Sequence, residues 1–169
     1  MHITVHAPTA SFASVDEAAR GEHLVDWQAV EGPEQIACTL CFAAVELAEH
    51  LSLIPGIVAT VLPLSEPGVG TKTNDANSVE IRITLSIATR DRPTSETGSG
   101  NTVDTGAEAP EFDESPTDPQ SYAITTVCDD SGAITGYSVF GADGAGGLYG
   151  AYELLHRLGF RWFGPDPWD

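Results

Sequence analysis

Positive charge is what this chain has least of. Its 169 residues carry 25 acids against 7 bases, for a formal net charge of −18. A single lysine, Lys72, is present. Such a surface repels phosphate backbones and anionic lipid, which excludes nucleic acid and acidic membranes as partners. Long hydrophobic runs are missing as well: no stretch of about 18 apolar residues is present to span a bilayer. The N-terminus lacks both a basic-then-apolar leader and a twin arginine, so the expectation is a cytoplasmic chain. Three cysteines, an odd number, make no disulfide framework. The length also falls short of a complete (β/α)8 barrel, which takes about 250 residues.

What is present suits one folded domain over 1–169, because a 41% apolar content is that of a core rather than a disordered tail. Abundant Asp, Glu, Thr, Ala and Gly with almost no lysine is a salt-adapted composition. High ionic strength screens the self-repulsion that otherwise opposes compaction, so a halophilic source is expected. Part of the acid excess lies in 91–119, where Val103 and Phe112 are the only large apolar residues among Pro, Gly, Ser, Thr and acids. That segment reads as a flexible acidic insertion. The excess persists when it is left out.

The pattern along the chain alternates strands and helices. "HITVH" reads as a short strand, and 7–32 shows no clear period. Pro33 at a helix start and Pro55-Gly56 just beyond its end bracket a helix over 33–51. Ile36, Leu40, Ala43, Leu47 and Leu51 form one apolar stripe at steps of three and four. Cys38, Cys41, Phe42 and Val45 make the opposite side apolar too. A helix apolar on two sides needs two partners, so burial between a sheet and a second body is expected.

"IVATVL" (57–62) and the alternating "VEIRITLSI" (79–87) read as strands. "SYAITTV" and "AITGYSVF", joined by "DDSG", have hairpin spacing. A last helix over 148–158 places Leu148, Tyr152 and Leu155 on one face and stops at Gly159. The expected fold is α+β: a mainly antiparallel sheet with two helices packed on one face.

Several chemistries are weighed against these residues. The glycine loop after the last strand invites a dinucleotide reading, but a GxGxxG built on Gly144 and Gly146 needs glycine at Tyr149, and it arrives at Gly150. The glycines then serve close packing of helix on strand. Cys38-x-x-Cys41, with Cys128 and a histidine, would offer metal ligands or a redox pair, but both cysteines fall within an apolar helix, where thiols pack. His2 and His6 share one face of a strand too short to organise a site alone. Asp129-Asp130 sits in a turn, and no GxSxG or HExxH occurs. Neither cofactor nor metal is expected.

The C-terminal stretch "GLYGAYELLHRLGFRWFGPD" resembles the end of the small α+β domain that precedes the catalytic barrel in glycoside hydrolases. The relatives are the N-terminal domain of α-glucuronidases and the zincin-like second domain of β-N-acetylhexosaminidases. The motif carriers are Gly147 to Gly150, Leu154 to Gly159, Arg161 to Phe163 and Pro165. The helix "AAVELAEHL" followed by "IPGI" is similar to the family's first helix, so the likeness runs over about 34–61 and 121–169.

The resemblance implies a non-catalytic domain that docks on and supports a (β/α)8 barrel, in cis or as a separate chain. In such enzymes the barrel supplies the acid and base, so no catalytic residue transfers here; a barrel expected after 169 is absent from the sequence. Arg161 and Trp162 stand where the chain would enter the barrel, either bordering a sugar site by stacking and hydrogen bonds or packing the domain junction. The alternative is a free-standing module binding oligo- or polysaccharide, with Trp27, Trp162 and Trp168 as its aromatic candidates.

Overall fold

The computed structural model describes residues 1–64, 80–87 and 116–161. A five-stranded mixed sheet carries three helices, an α+β arrangement. The strands are β1 (His2–Ala7), β2 (Val58–Pro63), β3 (Glu80–Ile87), β4 (Tyr122–Cys128) and β5 (Ile134–Gly141), in the order β2-β1-β3-β5-β4. The helices are α1 (Val15–Ala19), α2 (Pro33–Ser52) and α3 (Gly144–Arg157), with a 3-10 turn at Gly21–Leu24. Most of the expected acidic insertion at 91–119 lies outside the described residues.

The expectation of a mainly antiparallel sheet is corrected: β1 pairs in parallel with β2 and β3, and β3 pairs in parallel with β5. The β4/β5 hairpin is the one antiparallel pair among the described strands. The physical reason lies in the connections. A 20-residue helix between β1 and β2 carries the chain back across the sheet, so the next strand starts from the same end. The hairpin then brings β5 in beside β3, with β4 at the edge.

One face of the sheet is greasy and covered. Ile3, Val5, Ala7, Ile83, Leu85 and Val139 are buried against Leu40, Leu47 and Leu51 of α2 and Leu154 and Leu155 of α3. Register sets this face: Val5 lies between Val61 and Ile83, and Leu85 beside Val139. The other face carries Thr4, His6, Arg82, Thr84, Ser138 and Thr125, as period-two alternation dictates. His6 is nonetheless buried on that face, at 6% exposure. No helix among the described residues is long and apolar enough to cross a membrane.

Segment 7–32, which has no readable period, turns out to be ordered by caps and packing. Ser14 caps α1 by accepting from the Glu17 amide at 3.1 Å, and the Glu17 carboxylate accepts in return from the Ala13 amide at 2.8 Å. Val15 and Ala18 are buried in the common core. Gln35 ties this segment to α2: its Oε1 accepts from the Gly32 amide at 3.0 Å, and its Nε2 donates to the Asp26 carbonyl at 2.9 Å. With both ends of the amide hydrogen-bonded, the cost of desolvating this buried glutamine is offset.

Candidate functional site

The glycine run is not a turn before a helix but the first two turns of α3 itself, so the helix starts four residues earlier than its apolar period suggests. Asp143 is the N-cap: Oδ1 accepts from the Gly146 amide at 2.7 Å, while Oδ2 accepts from the Gln120 amide at 2.8 Å. Glu31 reaches in from 113 residues away, and its carboxylate accepts from the Gly144 amide at 3.1 Å. Two of the amides a phosphate would use, those of Gly144 and Gly146, are therefore bound to carboxylates of the chain. The glycines also lack room for a Cβ. At Gly146 it would strike the Ser121 carbonyl, at Gly147 the Leu40 Cδ2, and at Gly150 the Val139 Cγ1.

The cysteine flank of α2 is closed from within. Cys38 is 4% exposed and Cys41 fully buried, beneath the strand-to-helix connection and α1. The Cys41 thiol donates to the Pro8 carbonyl at 3.2 Å, and burial, helped by Cys38, pushes its pKa up to about 12. Burial, then the charges of Glu22 and Glu34, raises Cys38 as well. Thiols held protonated in this way are poor nucleophiles and poor metal ligands. Cys128 stands apart, exposed at the end of β4. Among the described residues no three His, Cys, Asp or Glu side chains gather to hold a metal ion.

The second body expected against this flank is thus supplied over Cys38 and Cys41 by the chain's own 8–24. Phe42 alone of the four flank residues stays largely exposed, at 43%. Around it a cavity of about 220 Å³ opens between the 3-10 turn and the two long helices, lined by Ala19, Glu22, Trp27, Cys38, Thr39, Phe42 and Leu148. The Trp27 Nε1–H donates to the Glu22 carbonyl at 2.7 Å, which fixes the indole while leaving it 52% exposed. Thr39 donates its hydroxyl to the Gln35 carbonyl at 3.0 Å, so that proton is turned inward.

A second hollow, of about 250 Å³, lies on the uncovered face of the sheet over Gly136, beside Arg82, Thr84, Val127 and Thr135. Nearby, the Thr125 hydroxyl is buried without a hydrogen-bond partner. Burial, then the charge of Arg82, lowers the pKa of His6, and the carbonyl of Pro63 and the charge of Glu80 oppose the shift.

Of the two sequence-predicted site residues, Trp162 lies outside the described residues. Arg161 is exposed at the end of α3, and its Nη1 donates to the carbonyls of His156 and Phe160, both at 2.7 Å. That is the way a cation closes a helix C-terminus. Trp168 is also outside the described residues, whereas Trp27 lines the cavity. Sequence reasoning missed the grouping of Glu22, Trp27, Phe42 and Leu148. The signals available were Phe42 on the second apolar side and Trp27 as an isolated aromatic, but nothing local joins them. No family model, no curated protein and no solved structure matches this chain.

Proposed function

We propose that this chain is a non-catalytic accessory domain of a carbohydrate-active glycoside hydrolase, of the α-glucuronidase or β-N-acetylhexosaminidase kind, which docks on and supports a (β/α)8 barrel. The observation that carries the reading is the C-terminal segment Gly147 to Gly159. Its glycines are placed as close-packing contacts at the start of α3, and Gly159 ends the helix at φ +102°. A helix opened by glycines after the last strand and stopped by Gly159 follows the order of elements in the resembling segment, which supports the reading. The docking strip would be Phe42, Leu148 and Tyr149, the apolar side chains left partly or largely exposed on the outer side of the helix pair.

The closure of the cysteine flank by 8–24 reduces the apolar surface that a barrel has to cover. The docking face is correspondingly small, and the assignment rests on the segment rather than on unpartnered area. The test is direct. A purified α-glucuronidase or β-N-acetylhexosaminidase barrel stripped of its own N-terminal domain is mixed with this chain and followed by analytical ultracentrifugation, with Phe42→Ser/Tyr149→Ser as control. Association of the wild type and its loss in the double variant are expected. Turnover of aryl-glycosides by the chain alone, abolished by one carboxylate substitution, would overturn the accessory role.

A second reading, a free-standing carbohydrate-binding module, draws on the fixed, half-exposed indole of Trp27. It requires a saturable tryptophan fluorescence change with soluble oligosaccharides. The salt-adapted origin is part of the proposal too: with a net charge of −18, the midpoint of thermal unfolding should rise as KCl is raised from low to molar concentration. A midpoint that does not respond to salt would argue against it.

A further inference from the structure

We propose that the cavity walled by Trp27 and Phe42 is a binding site for a small organic cation of the alkylammonium type, held against the two aromatic rings and balanced by the Glu22 carboxylate. The inference goes beyond the accessory role: Phe42 and Leu148 also belong to the proposed docking strip, so the site is one of the chain free of a barrel, and every lining residue belongs to this chain. Its basis is the mismatch between what lines the cavity and what each class of ligand demands.

The walls are aromatic and aliphatic: Trp27, Phe42, Leu148 and Ala19. The indole is fixed before any ligand arrives, because its N–H is bonded to the Glu22 carbonyl at 2.7 Å. Neither ring has a ring partner among the described residues, and the two stay 52% and 43% exposed. The polar lining is one-sided. Glu22 brings an acceptor, Thr39 has its proton committed to the Gln35 carbonyl, and no arginine, lysine or amide side chain lines the space.

A sugar needs donors as well as acceptors around its hydroxyl groups, and no charged or amide donor side chain lines this cavity. An anion would face like charge. The field at the floor is negative: after burial, it is Glu22 and then Glu34 that raise the Cys38 thiol. A neutral apolar ligand would match the walls but leave the carboxylates without a counter-charge. A compact cation satisfies both features, because an ammonium group over Trp or Phe is attracted by the ring quadrupole and by the nearby carboxylate. A volume of about 220 Å³ suits a head group rather than a chain of sugar rings. The net charge of −18 further concentrates cations near the surface.

Tryptophan fluorescence, followed during titration with tetramethylammonium chloride at constant ionic strength, tests this. A saturable change is expected, with none for tert-butanol, the neutral body of similar shape, and none for NaCl. Trp27→Leu should abolish both the fluorescence change and the broadening of the tetramethylammonium methyl NMR signal, which does not depend on the indole, and Glu22→Gln should weaken binding about two- to fivefold. Circular dichroism checks that each variant is folded, and Phe42→Leu, expected to weaken binding without removing the reporter, serves if Trp27→Leu is not.

An N-acetyl-lysine amide arm and a trimethyllysine peptide arm separate a free cation from a protein side chain as its source. Binding of tetramethylammonium alone supports the small ligand, and tighter binding of either lysine arm overturns that source while keeping the chemistry. An equal response to tert-butanol, a saturable response to xylo-oligosaccharides alone, or an unchanged tetramethylammonium response in Trp27→Leu would overturn the proposal.

Discussion

The two long helices reach the same sheet by opposite means. α2 lies against it through large side chains, with Leu40, Leu47 and Leu51 all essentially without exposure. α3 approaches with its backbone, burying Gly144, Gly146, Gly147 and Gly150 along its first two turns. Leu40 is the meeting point: its Cδ2 fills the space that a Cβ on Gly147 would take. One helix is thus placed by volume and the other by its absence. The same core face is therefore broken by opposite errors at its two halves, a cavity on one side and a clash on the other.

Four substitutions sharpen that contrast. The largest effect is expected in α2, where Leu47→Ala removes side-chain volume from the sealed core and should cost about 2–5 kcal/mol in urea unfolding. In α3 the sign of the error reverses. Gly146→Ala drives a Cβ into the Ser121 carbonyl and should cost about 1–3 kcal/mol. Gly147→Ala should cost less than Gly146→Ala, since it meets only the far end of the Leu40 side chain, which is able to rotate. Equal costs at the two glycines would mean that backbone approach does not set the position of α3.

A smaller loss is expected from Asp143→Ala, about 0.5–2 kcal/mol, because the Gly146 amide loses its cap and the Gln120 amide its acceptor. Thermal melting of the variant beside Gly146→Ala would show whether capping or close packing holds the start of α3 more firmly.

The smallest effect concerns pH and the uncovered face. His6 has its folded pKa below the ordinary value of 6.5, chiefly through burial and then through Arg82. Below 6.5 the unfolded chain therefore binds a proton that the folded chain resists, so stability is full above that pH and falls as pH drops towards the folded pKa. His6→Gln should flatten this part of the stability profile in denaturant melts at pH 5 to 7. A slope unchanged by the substitution would assign the acid sensitivity to other groups.

The helix at 33–51 and the hairpin were legible because each depends on neighbours in sequence: a proline start, a period near 3.6, and a turn of Asp, Ser and Gly between two alternating runs. The Asp129 side chain makes that turn, accepting from the Ser131 and Ala133 amides at 2.9 and 3.0 Å. The start of α3 was misplaced because glycine carries no apolar signal, so a helix whose first turns bury only backbone is silent to periodicity. The two-sided apolar helix was expected to meet a second body from beyond this chain, but over Cys38 and Cys41 the second partner proved to be the chain's own 8–24. Its ordering comes from the Ser14 cap and from Gln35, which bonds back to residues without a repeat of their own.

Composition and local pattern alone determined the acidic surface, the thiols placed on a helix, the hairpin and the stop at Gly159, since each follows from residue chemistry within a few positions. Tertiary structure decided the parallel pairing of β1 with β2 and β3, the engagement of Glu31 with an amide 113 residues distant, and the enclosure of Trp27 with Phe42 and Leu148 around one cavity. The division has one cause. Periodicity states which face of an element wants burial, whereas the partner for that face is chosen by chain connection and by the free energy of closing contacts far apart in sequence.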